Sequence, residues 1–254
     1  MDKLYIVIPA YNEEENIATV IDQWHPVVEK IGSASRLVIL NDGSRDHTLA
    51  KATALKKQYP HLEVLDKANS GHGPTCLFGY QYAIDAGADY VFQTDSDGQT
   101  LPNEFDQFWQ QRTAFHFLIG VRQNRQDGVA RKIVSNVLRF SLWMTFGVNA
   151  RDANTPYRLM NAKQLRVYLA HIPRDFFLGN ALLTAAAAKR KDSIKWLPIT
   201  FKPRQAGENS IQLTSICKIG MKAVIEFIKF AQASKAFLHG VTADVRTTQK
   251  TLSL

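Results

Sequence analysis

The sequence predicts an α/β protein in which helices cover both faces of a mostly parallel sheet and an amphipathic helical tail follows. Short apolar runs alternate along the chain with longer segments that have helical periodicity. Strands that alternate with helices of this length are typical of βαβ units, in which the strands run parallel. The predicted strands span residues 4–9, 36–40, 62–65, 90–94, 115–121 and 194–201.

Helical patterns fill most of the chain between and after these strands. The predicted helices span residues 13–31, 46–58, 74–87, 102–113, 129–147, 161–171, 178–190 and 213–238. The segment 148–161 is predicted to be a loop. No linker rich in Pro, Gly or Ser and no internal repeat divides the chain. We therefore predict one domain over residues 1–212, followed by an amphipathic helix and tail over 213–254.

The composition is that of a globular protein with anionic partners. With 254 residues, of which 45% are hydrophobic, the chain can bury an ordinary packed core. Its 31 Lys and Arg residues exceed its 23 Asp and Glu residues and give a formal charge of +8. This excess favours nucleotides, phosphorylated lipids, nucleic acid or an acidic membrane surface as partners, without choosing among them.

The spacing of the cysteines and the length of the apolar segments predict where in the cell the protein is found. Cys76 and Cys217 lie far apart and have no metal-type or disulfide spacing, which fits a reducing cytoplasm. The acidic run 13–15 follows only a short apolar stretch, unlike a signal peptide. No run approaches the roughly 18 apolar residues of a transmembrane helix. We expect a cytoplasmic protein, either free or held peripherally at the inner face of the membrane.

The residues at the strand ends mark the expected ligand edge. In parallel α/β sheets, ligands bind beyond the carboxyl ends of the strands. The residues at these positions are Pro9, Tyr11, Asn12, Asn41, Asp42, Asp66, Lys67, Asp95 and Asp97. The Asp42 carboxylate can accept hydrogen bonds from a base or a ribose, and turn formation around Gly43 is the alternative interpretation.

Two carboxylates one residue apart follow the strand predicted at 90–94. In extended backbone, Asp95 and Asp97 point to the same side. At roughly 4 Å and an effective dielectric constant near 20, two such charges repel by about 4 kcal/mol. A divalent cation with oxygen ligands would offset this repulsion, whereas a solvated Asp-Gly turn is the alternative.

A glycine-containing loop and two basic segments offer groups for phosphate. The loop "KANSGHGPT" (67–75) leads into a helix predicted to begin at Pro74, whose free N–H groups can bind a phosphate or sugar oxygen. His72 in this loop is interpreted as a structural residue. Arg122 and Arg204 are the predicted phosphate ligands of the basic segments, because a guanidinium group can bind phosphate through two hydrogen bonds.

Three motifs together resemble one enzyme family. "VIPAYNEEENI" at the start, then "NDGSRDHT", then "TDSDGQ" are similar in order and rough spacing to the motifs of glycosyltransferase family 2, the inverting nucleotide-sugar transferases of the GT-A fold. The resemblance covers roughly residues 4 to 212. It implies a Rossmann-like GT-A domain with a nucleotide-binding half (1–100) and an acceptor half (101–212).

Further residues resemble the polyprenyl-phosphate branch of this family, which includes dolichyl-phosphate mannose synthase. Gln99 follows the D-x-D pair, and Arg122 ends a "GVR" strand. The stretches "RDANTPYRLM" and "RQAGENS" resemble two later motifs of the branch, with Asp152, Thr155, Arg158, Arg204, Gly207 and Ser210 matching. The chain departs from the pattern at Pro156, where the branch has glycine, and at Ile211, where it has lysine.

The resemblance implies a set of site residues. The implied metal ligands for Mg²⁺ or Mn²⁺ are Asp95, Asp97 and Gln99, and the implied catalytic residues are Asp97, Asp152, Arg122 and Arg204. The implied donor- or acceptor-binding residues are Pro9, Tyr11, Glu13, Asp42, Asn69, Gly73, Asp95, Arg131, Arg158 and Ser210. Asp152 is the candidate general base for an alcohol acceptor, whereas a phosphate acceptor is already ionised and needs no base.

The implied reaction is transfer of a sugar, with inversion, from a UDP- or GDP-sugar to a polyprenyl phosphate or another cell-envelope acceptor. The helix predicted at 213–238 either packs on the core or brings its basic face to anionic lipids. The competing interpretations are a sugar-phosphate nucleotidyltransferase, a calcium-binding module and a basic nucleic-acid-binding domain. Each lacks its expected motif in this chain, so no nucleic-acid partner is expected.

Overall fold

The computed structural model describes residues 2–123, 129–203 and 213–240, with side chains described for 2–123, 134–203 and 220–240. Its seven strands are β1 (Leu4–Ala10), β2 (Arg36–Asp42), β3 (Leu62–Lys67), β4 (Tyr90–Thr94), β5 (Phe117–Gln123), β6 (Tyr157–Asn161) and β7 (Ile194–Thr200). Its helices are α1 (Ile17–Ile31), α2 (Thr48–Leu55), α3 (His72–Asp85), α4 (Phe105–Trp109), α5 (Val129–Phe146), α6 (Ala162–Leu169), α7 (Gly179–Lys189), α8 (Leu213–Ala233) and α9 (Lys235–Leu238). A short 3₁₀ helix, Pro102–Glu104, precedes α4.

The strands form a single mixed sheet in the order β3-β2-β1-β4-β6-β5-β7. The pairs β1–β2, β1–β4, β2–β3 and β5–β7 are parallel, while β6 runs antiparallel to both of its neighbours, β4 and β5. The strands other than β6 therefore end at one common edge. The predicted α/β fold with a mostly parallel sheet is confirmed.

Helices bury both faces of the sheet, which explains why the strands are continuously apolar. All seven residues of β1 are buried, as is typical of a central parallel strand. On one face, Trp24 of α1 packs against Phe92 and Tyr157 at ring-centroid distances of 5.3 and 6.0 Å. Each fully buried side chain of this size contributes roughly 2 to 3 kcal/mol through apolar burial. On the other face, Tyr80 of α3 lies in a second core cluster that extends to α7 and α8.

The predicted loop at 148–161 was wrong, because its last five residues form strand β6 in the middle of the sheet. The segment contains Arg158, which is 1% exposed, and a charged residue in so short a run favours a loop in a sequence-based prediction. The guanidinium group of Arg158 donates five hydrogen bonds, to the carbonyls of Ala153, Thr155 and Asn180 and to the hydroxyl of Thr184. Tertiary contacts thus stabilise a strand that the local pattern did not indicate.

Several predicted helices also differ from the structure at their ends. The helix predicted at 102–113 is observed as the 3₁₀ helix and the short helix α4. Helix α3 begins at His72, after Gly71, so that Pro74 is its third residue and not its first. The predicted helix at 213–238 is divided into α8 and α9. Phe227 and Phe230 of α8 are buried against Phe146 of α5, so one face of α8 belongs to the core. Across the part of the chain that the structure describes, no helix has both the length and the apolarity required to cross a membrane.

Candidate active site at the carboxyl edge of the sheet

The ends of β1 and β2 are held together by hydrogen bonds between their loops. The Asn12 N–H donates to Ser44 Oγ (3.0 Å), and the Arg45 N–H donates to Asn12 Oδ1 (2.8 Å). Asn12 adopts a φ of 54°, a conformation that asparagine tolerates better than most residues. The predicted binding residue Glu13 is buried beside this junction, where its N–H donates to Thr48 Oγ1 (2.8 Å). Tyr11 is 42% exposed at the same edge.

Asp42, the last residue of β2, is saturated by hydrogen bonds from its own chain. Lys67 Nζ and the Ser70 N–H (2.9 Å) donate to its Oδ1, and the Gly71 N–H donates to its Oδ2 (2.9 Å). The residue is 3% exposed. Burial opposes ionisation, but the hydrogen bonds from Lys67 and Ser70 outweigh it and hold the pKa of Asp42 below its ordinary value. The carboxylate therefore fixes the loop after β3.

The glycines of this region are required by close backbone approaches. At Gly43, φ is +66°, and a Cβ atom would lie 2.8 Å from the backbone nitrogen of Asn69. The Asn69 side chain donates from Nδ2 to the carbonyl of Asp42 (2.9 Å). At Gly73, a Cβ atom would lie 2.2 Å from the carbonyl oxygen of Phe177. Asn69 and Gly73, both predicted as binding residues, thus join β2, the 67–71 loop and the 176–177 segment.

Asp95, one residue after β4, has one oxygen held and the other open. His72 Nε2 lies 2.9 Å from its Oδ1, and Gln93 Nε2 donates to the same oxygen at 2.9 Å. Oδ2 accepts no hydrogen bond from any residue that the structure describes. The side chain of Asp95 is 25% exposed. Coulombic interactions with Cys76 and Asp95 raise the pKa of His72 well above its usual range, against the effect of desolvation.

A buried network of polar side chains orients Gln93, which donates to Oδ1 of Asp95. Gln93 accepts a hydrogen bond at Oε1 from Asn180 Nδ2 (3.0 Å), and Tyr80 donates its hydroxyl hydrogen to Asn180 Oδ1 (2.6 Å). The carbonyl of Asn180 in turn accepts from Arg158 (3.2 Å). Gln93, Asn180 and Tyr80 are each no more than 2% exposed. This chain of contacts joins β4, α3, α7 and β6 and restricts the orientation of Asp95.

Asp97 and Gln99 complete the D-x-D-x-Q segment. Asp97 is partly buried, and its Oδ1 accepts the N–H of Gln99 (3.1 Å). Gln99 is 5% exposed, and its Nε2 donates to the carbonyl of Lys202 (2.6 Å) while its own carbonyl accepts the Lys202 N–H (2.8 Å). Gln99 therefore anchors the chain after β7 to the end of β4. Its role as a metal ligand stays a prediction.

The donor set at the end of β4 fits a hard divalent cation that also has ligands from a substrate. Among the described residues, no three His, Cys, Asp or Glu side chains come close enough together to hold a metal alone. Magnesium-type sites typically use one or two carboxylates together with substrate phosphates. Asp95, with its open Oδ2, and Asp97 would provide this kind of incomplete oxygen site.

Arg122 and Asp152, both predicted as catalytic, form a two-point ion pair. Arg122 Nε and Nη2 donate to Asp152 Oδ2 (2.8 Å) and Oδ1 (2.7 Å), and the Arg122 N–H lies 3.3 Å from Oδ2. Their side chains are 12% and 10% exposed. The Phe201 ring lies 5.1 Å from the guanidinium carbon and adds a cation–π contact. Asp152 therefore holds Arg122 near the carboxyl end of β5.

The remaining predicted residues fall into two groups. Pro9 is buried at the end of β1, and Arg158 is buried in the core, where its donors are used by the protein itself. The structure therefore does not bring Arg158 to the open edge, and its contribution there is to support Asn180. Arg204, Ser210 and the side chain of Arg131 lie outside the described parts of the chain.

Sequence reasoning missed Lys67 as the partner of Asp42, and it missed the supports of Asp95. His72 was interpreted as a structural loop residue, but it contacts Asp95 directly. Gln93 offered a usable signal, because it is a polar residue inside the otherwise apolar strand "YVFQT". Asn180 offered none, since it begins an Ala-rich helix far along the chain.

The site and fold define the class of protein. A model of glycosyl transferase family 2 matches residues 5–169. The chain belongs to glycosyltransferase family 2, as the motif resemblance predicted. Membership favours a glycosyltransferase over the nucleotidyltransferase, calcium-binding and nucleic-acid-binding interpretations.

Two similar sequences share a functional name. The undecaprenyl-phosphate 4-deoxy-4-formamido-L-arabinose transferase of Pectobacterium atrosepticum is 30% identical over 170 residues, which cover 66% of this chain and 49% of the relative. The protein of the same name from Sodalis glossinidius is 26% identical over 222 residues, covering 86% of this chain and 66% of the relative. The matched region spans about half the length of the first of these relatives.

Solved structures share the fold. Glucosyl-3-phosphoglycerate synthase from Mycobacterium tuberculosis, in complex with Mn²⁺ and uridine-diphosphate-glucose, superimposes with a TM-score of 0.68 over 90% of this chain and 79% of that chain. The sequences are 16% identical. At this identity the match establishes a common GT-A fold and nothing about substrate.

Proposed function

We propose that this chain transfers a sugar, with inversion, from a nucleoside-diphosphate sugar to a polyprenyl phosphate. The observation that carries the choice of acceptor is the Arg122–Asp152 pair. Both oxygens of Asp152 accept hydrogen bonds from one guanidinium group, so the candidate general base is already engaged. A phosphate acceptor needs no base, because its oxygen is ionised near neutral pH.

The donor site of this proposal lies at the ends of β1, β2 and β4. Asp95 and Asp97 would hold a divalent cation, Mg²⁺ or Mn²⁺, which when bound supplies positive charge to the leaving diphosphate. The 43–44 and 67–71 loops, ordered by Asp42, would form the wall for the nucleoside. Whether the nucleoside is uridine or guanosine is set by contacts within this wall.

The acceptor site lies on the β5 side of the same edge. Arg122, oriented by Asp152, would contribute fixed positive charge near the acceptor phosphate. A phosphate oxygen then attacks the anomeric carbon from the side opposite the diphosphate. The bond from the anomeric carbon to the diphosphate oxygen breaks, and the nucleoside diphosphate leaves with the bonding electrons. The configuration at the anomeric carbon inverts.

The proposal also requires the protein to reach a lipid acceptor in a membrane. The polar face of residues 213–238 carries lysines such as Lys222 and Lys229, which are exposed in α8. This basic face would bring the protein to an anionic membrane surface.

The decisive experiment compares two acceptors that differ only in phosphate. Purified protein is incubated with UDP- and GDP-sugars, Mn²⁺, and either a polyprenyl phosphate or the polyprenol of the same length. We expect transfer to the phosphate alone, with inverted anomeric configuration by NMR. Transfer to the polyprenol, abolished by Asp152→Asn, would instead make Asp152 the general base.

A thermal-shift screen identifies the donor before turnover is measured. UDP- and GDP-sugars are each tested with and without Mn²⁺. We expect one nucleotide series to raise the melting temperature, and to do so more strongly with the metal. If no nucleotide sugar stabilises the protein in either condition, the proposed donor site is wrong.

A further inference from the structure

Helices α5 and α8 expose an unusual number of large apolar side chains. We define the two-helix apolar face as Val137, Phe140, Trp143, Met144, Met221, Ile225 and Ile228. These are seven of the ten large hydrophobic residues found exposed among the described side chains. Phe140 and Trp143 are each 58% exposed, and Met221 is 63% exposed. Single exposed apolar residues are ordinary, but a cluster of this kind marks an interaction surface.

The helices that carry this face are neighbours. At Gly220 of α8, a Cβ atom would lie 3.3 Å from Cγ1 of Val137, so the two helices touch there. Met221, Ile225 and Ile228 recur at helical spacing and form one stripe along α8, and Val137, Phe140 and Met144 do the same along α5. The rings of Phe140 and Trp143 contact each other at 5.9 Å between centroids. The two stripes therefore make one surface.

The core does not account for these residues. A different side of each helix is already buried, through Leu142 and Phe146 in α5 and through Ala223, Phe227 and Phe230 in α8. Both helices thus have apolar residues on the core-facing side and again on the outward side. A helix in contact only with core and water would be polar on its outward side.

The sequences of the two helices that carry the face are strongly basic. Counting Lys and Arg, α5 contributes three and α8 contributes three, whereas the two helices contain one acidic residue, Glu226. Lys222 and Lys229 are exposed beside Met221 and Ile228. Glu226 lies 3.7 Å from Lys222. A second copy of the chain would bring the same positive charges together, which disfavours self-association through this face.

We infer that the two-helix apolar face docks on an anionic phospholipid bilayer, with its apolar side chains inserted at the boundary between headgroups and acyl chains. The lysines beside them would contact lipid phosphates. Tryptophan suits this boundary because its ring is apolar and its N–H can stay hydrated, and phenylalanine adds apolar area for insertion. The inference extends the proposed contact of α8 to a second helix and from surface attraction to insertion.

Vesicle binding by the whole chain tests the inference without any substrate. We expect flotation with phosphatidylglycerol vesicles and much weaker flotation with phosphatidylcholine vesicles. Phe140→Ser/Trp143→Ser should bind phosphatidylglycerol vesicles about tenfold or more weakly, because two large apolar side chains no longer insert. Val167→Ser, at a 39% exposed apolar position of α6, is the control and should bind like the parent.

Fluorescence locates the inserted residue. Brominated lipids should quench Trp143 when the parent protein binds, and Trp143→Phe should remove that quenching while vesicle binding is kept. Trp24, which is 1% exposed, should not be quenched.

Charge-reversal variants test the contribution of the lysines. Lys222→Glu/Lys229→Glu should weaken vesicle binding by about fivefold for each cation lost. Lys56→Glu/Lys57→Glu, which changes exposed lysines after α2 by the same charge, should not.

Two outcomes would overturn the inference. One is a parent protein that does not float with phosphatidylglycerol vesicles at low salt. The other is a dimer in solution that Phe140→Ser/Trp143→Ser converts to a monomer without changing vesicle binding, because a second copy would then cover the face. Neither outcome depends on transferase activity. A parent protein that does not float would also remove the proposed membrane contact of α8, whereas the transfer reaction is tested separately by the acceptor assay.

Discussion

The ends of β2 and β4 each place a carboxylate at the same edge of the sheet, and the two carboxylates have opposite surroundings. Asp42 is 3% exposed, and both of its oxygens accept hydrogen bonds from Lys67 or from loop N–H groups. Asp95 is 25% exposed in its side chain, and only its Oδ1 is held, by His72 and Gln93.

This difference supports the proposal that Asp95 binds a ligand, while the contacts of Asp42 within the protein stabilise its loops. A buried charge whose partners are all supplied by the protein stabilises the loops that contribute those partners. A carboxylate that accepts hydrogen bonds at one oxygen is oriented by them, and its other oxygen can still contact a ligand. Hydrogen bonds of this kind usually orient metal-ligating side chains. We therefore expect changes at Asp42 to affect folding and changes at Asp95 to affect chemistry.

The largest expected effect is on activity, from Asp95→Asn. If the proposed cation stabilises the leaving diphosphate, the turnover rate should fall by about 10²- to 10³-fold, because Asp95→Asn would bind that cation less well. The free energy of unfolding should change by less than about 1 kcal/mol, since the group is partly exposed. Transfer assays and urea unfolding measure the two quantities. Asp85→Asn, an exposed position of α3, is the matched control.

The second effect is on stability, from Asp42→Asn. The free energy of unfolding should fall by about 2 to 4 kcal/mol, because Lys67 loses its buried anion and the 67–71 loop loses an acceptor. Urea unfolding measures the loss. Lys67→Met should also destabilise the protein, and the double variant should lose less than the sum of the two single losses. Additive losses would show that the pair does not act as a unit.

These two carboxylates also show what the sequence could predict of the site. Each follows or ends an apolar strand, so the parallel-sheet rule alone brings both to one edge. Their different surroundings come from residues far along the chain. The Lys67 partner of Asp42 is 25 positions away, and the Asn180 that supports Gln93 is 87 positions away. No local pattern encodes such contacts.

The fold could be predicted where apolar patterns determine it, and could not be predicted where distant polar contacts do. Strands with uninterrupted apolar runs, such as β1 and β4, were predicted within one residue of their observed ends. Strand β6 was not, because its second residue, Arg158, is compatible with a buried strand only when carbonyls elsewhere in the chain accept its hydrogen bonds. Sequence periodicity detects apolar burial and does not detect polar burial that tertiary contacts make possible.

The third effect is on metal affinity, from Gln93→Leu. The held oxygen of Asp95 would lose one of its two donors, so the carboxylate would be less well oriented. We expect Mn²⁺ to bind about tenfold more weakly in the presence of a nucleoside diphosphate, with a smaller change in turnover at saturating Mn²⁺. Titration calorimetry measures the affinity. Gln81→Leu, which removes a side-chain amide from α3 outside this network, is the control. Equal affinities in the parent and Gln93→Leu would show that Asp95 does not need this support.

The smallest effect is a change in the pH dependence of folding at the end of β2. Because the pKa of Asp42 is lowered in the folded protein, its ionised form favours folding above the unfolded-state pKa of about 3.9. That contribution is lost as pH falls through the lower folded-state pKa. As the pH is lowered from about 5, the free energy of unfolding should therefore fall more in the parent protein than in Asp42→Asn. Urea unfolding at a series of pH values measures both curves, and the difference between them isolates Asp42 from the other carboxylates. If the curves stay parallel, the hydrogen bonds of Asp42 do not favour its ionised form, and the contrast between the two strand ends would then rest on burial alone.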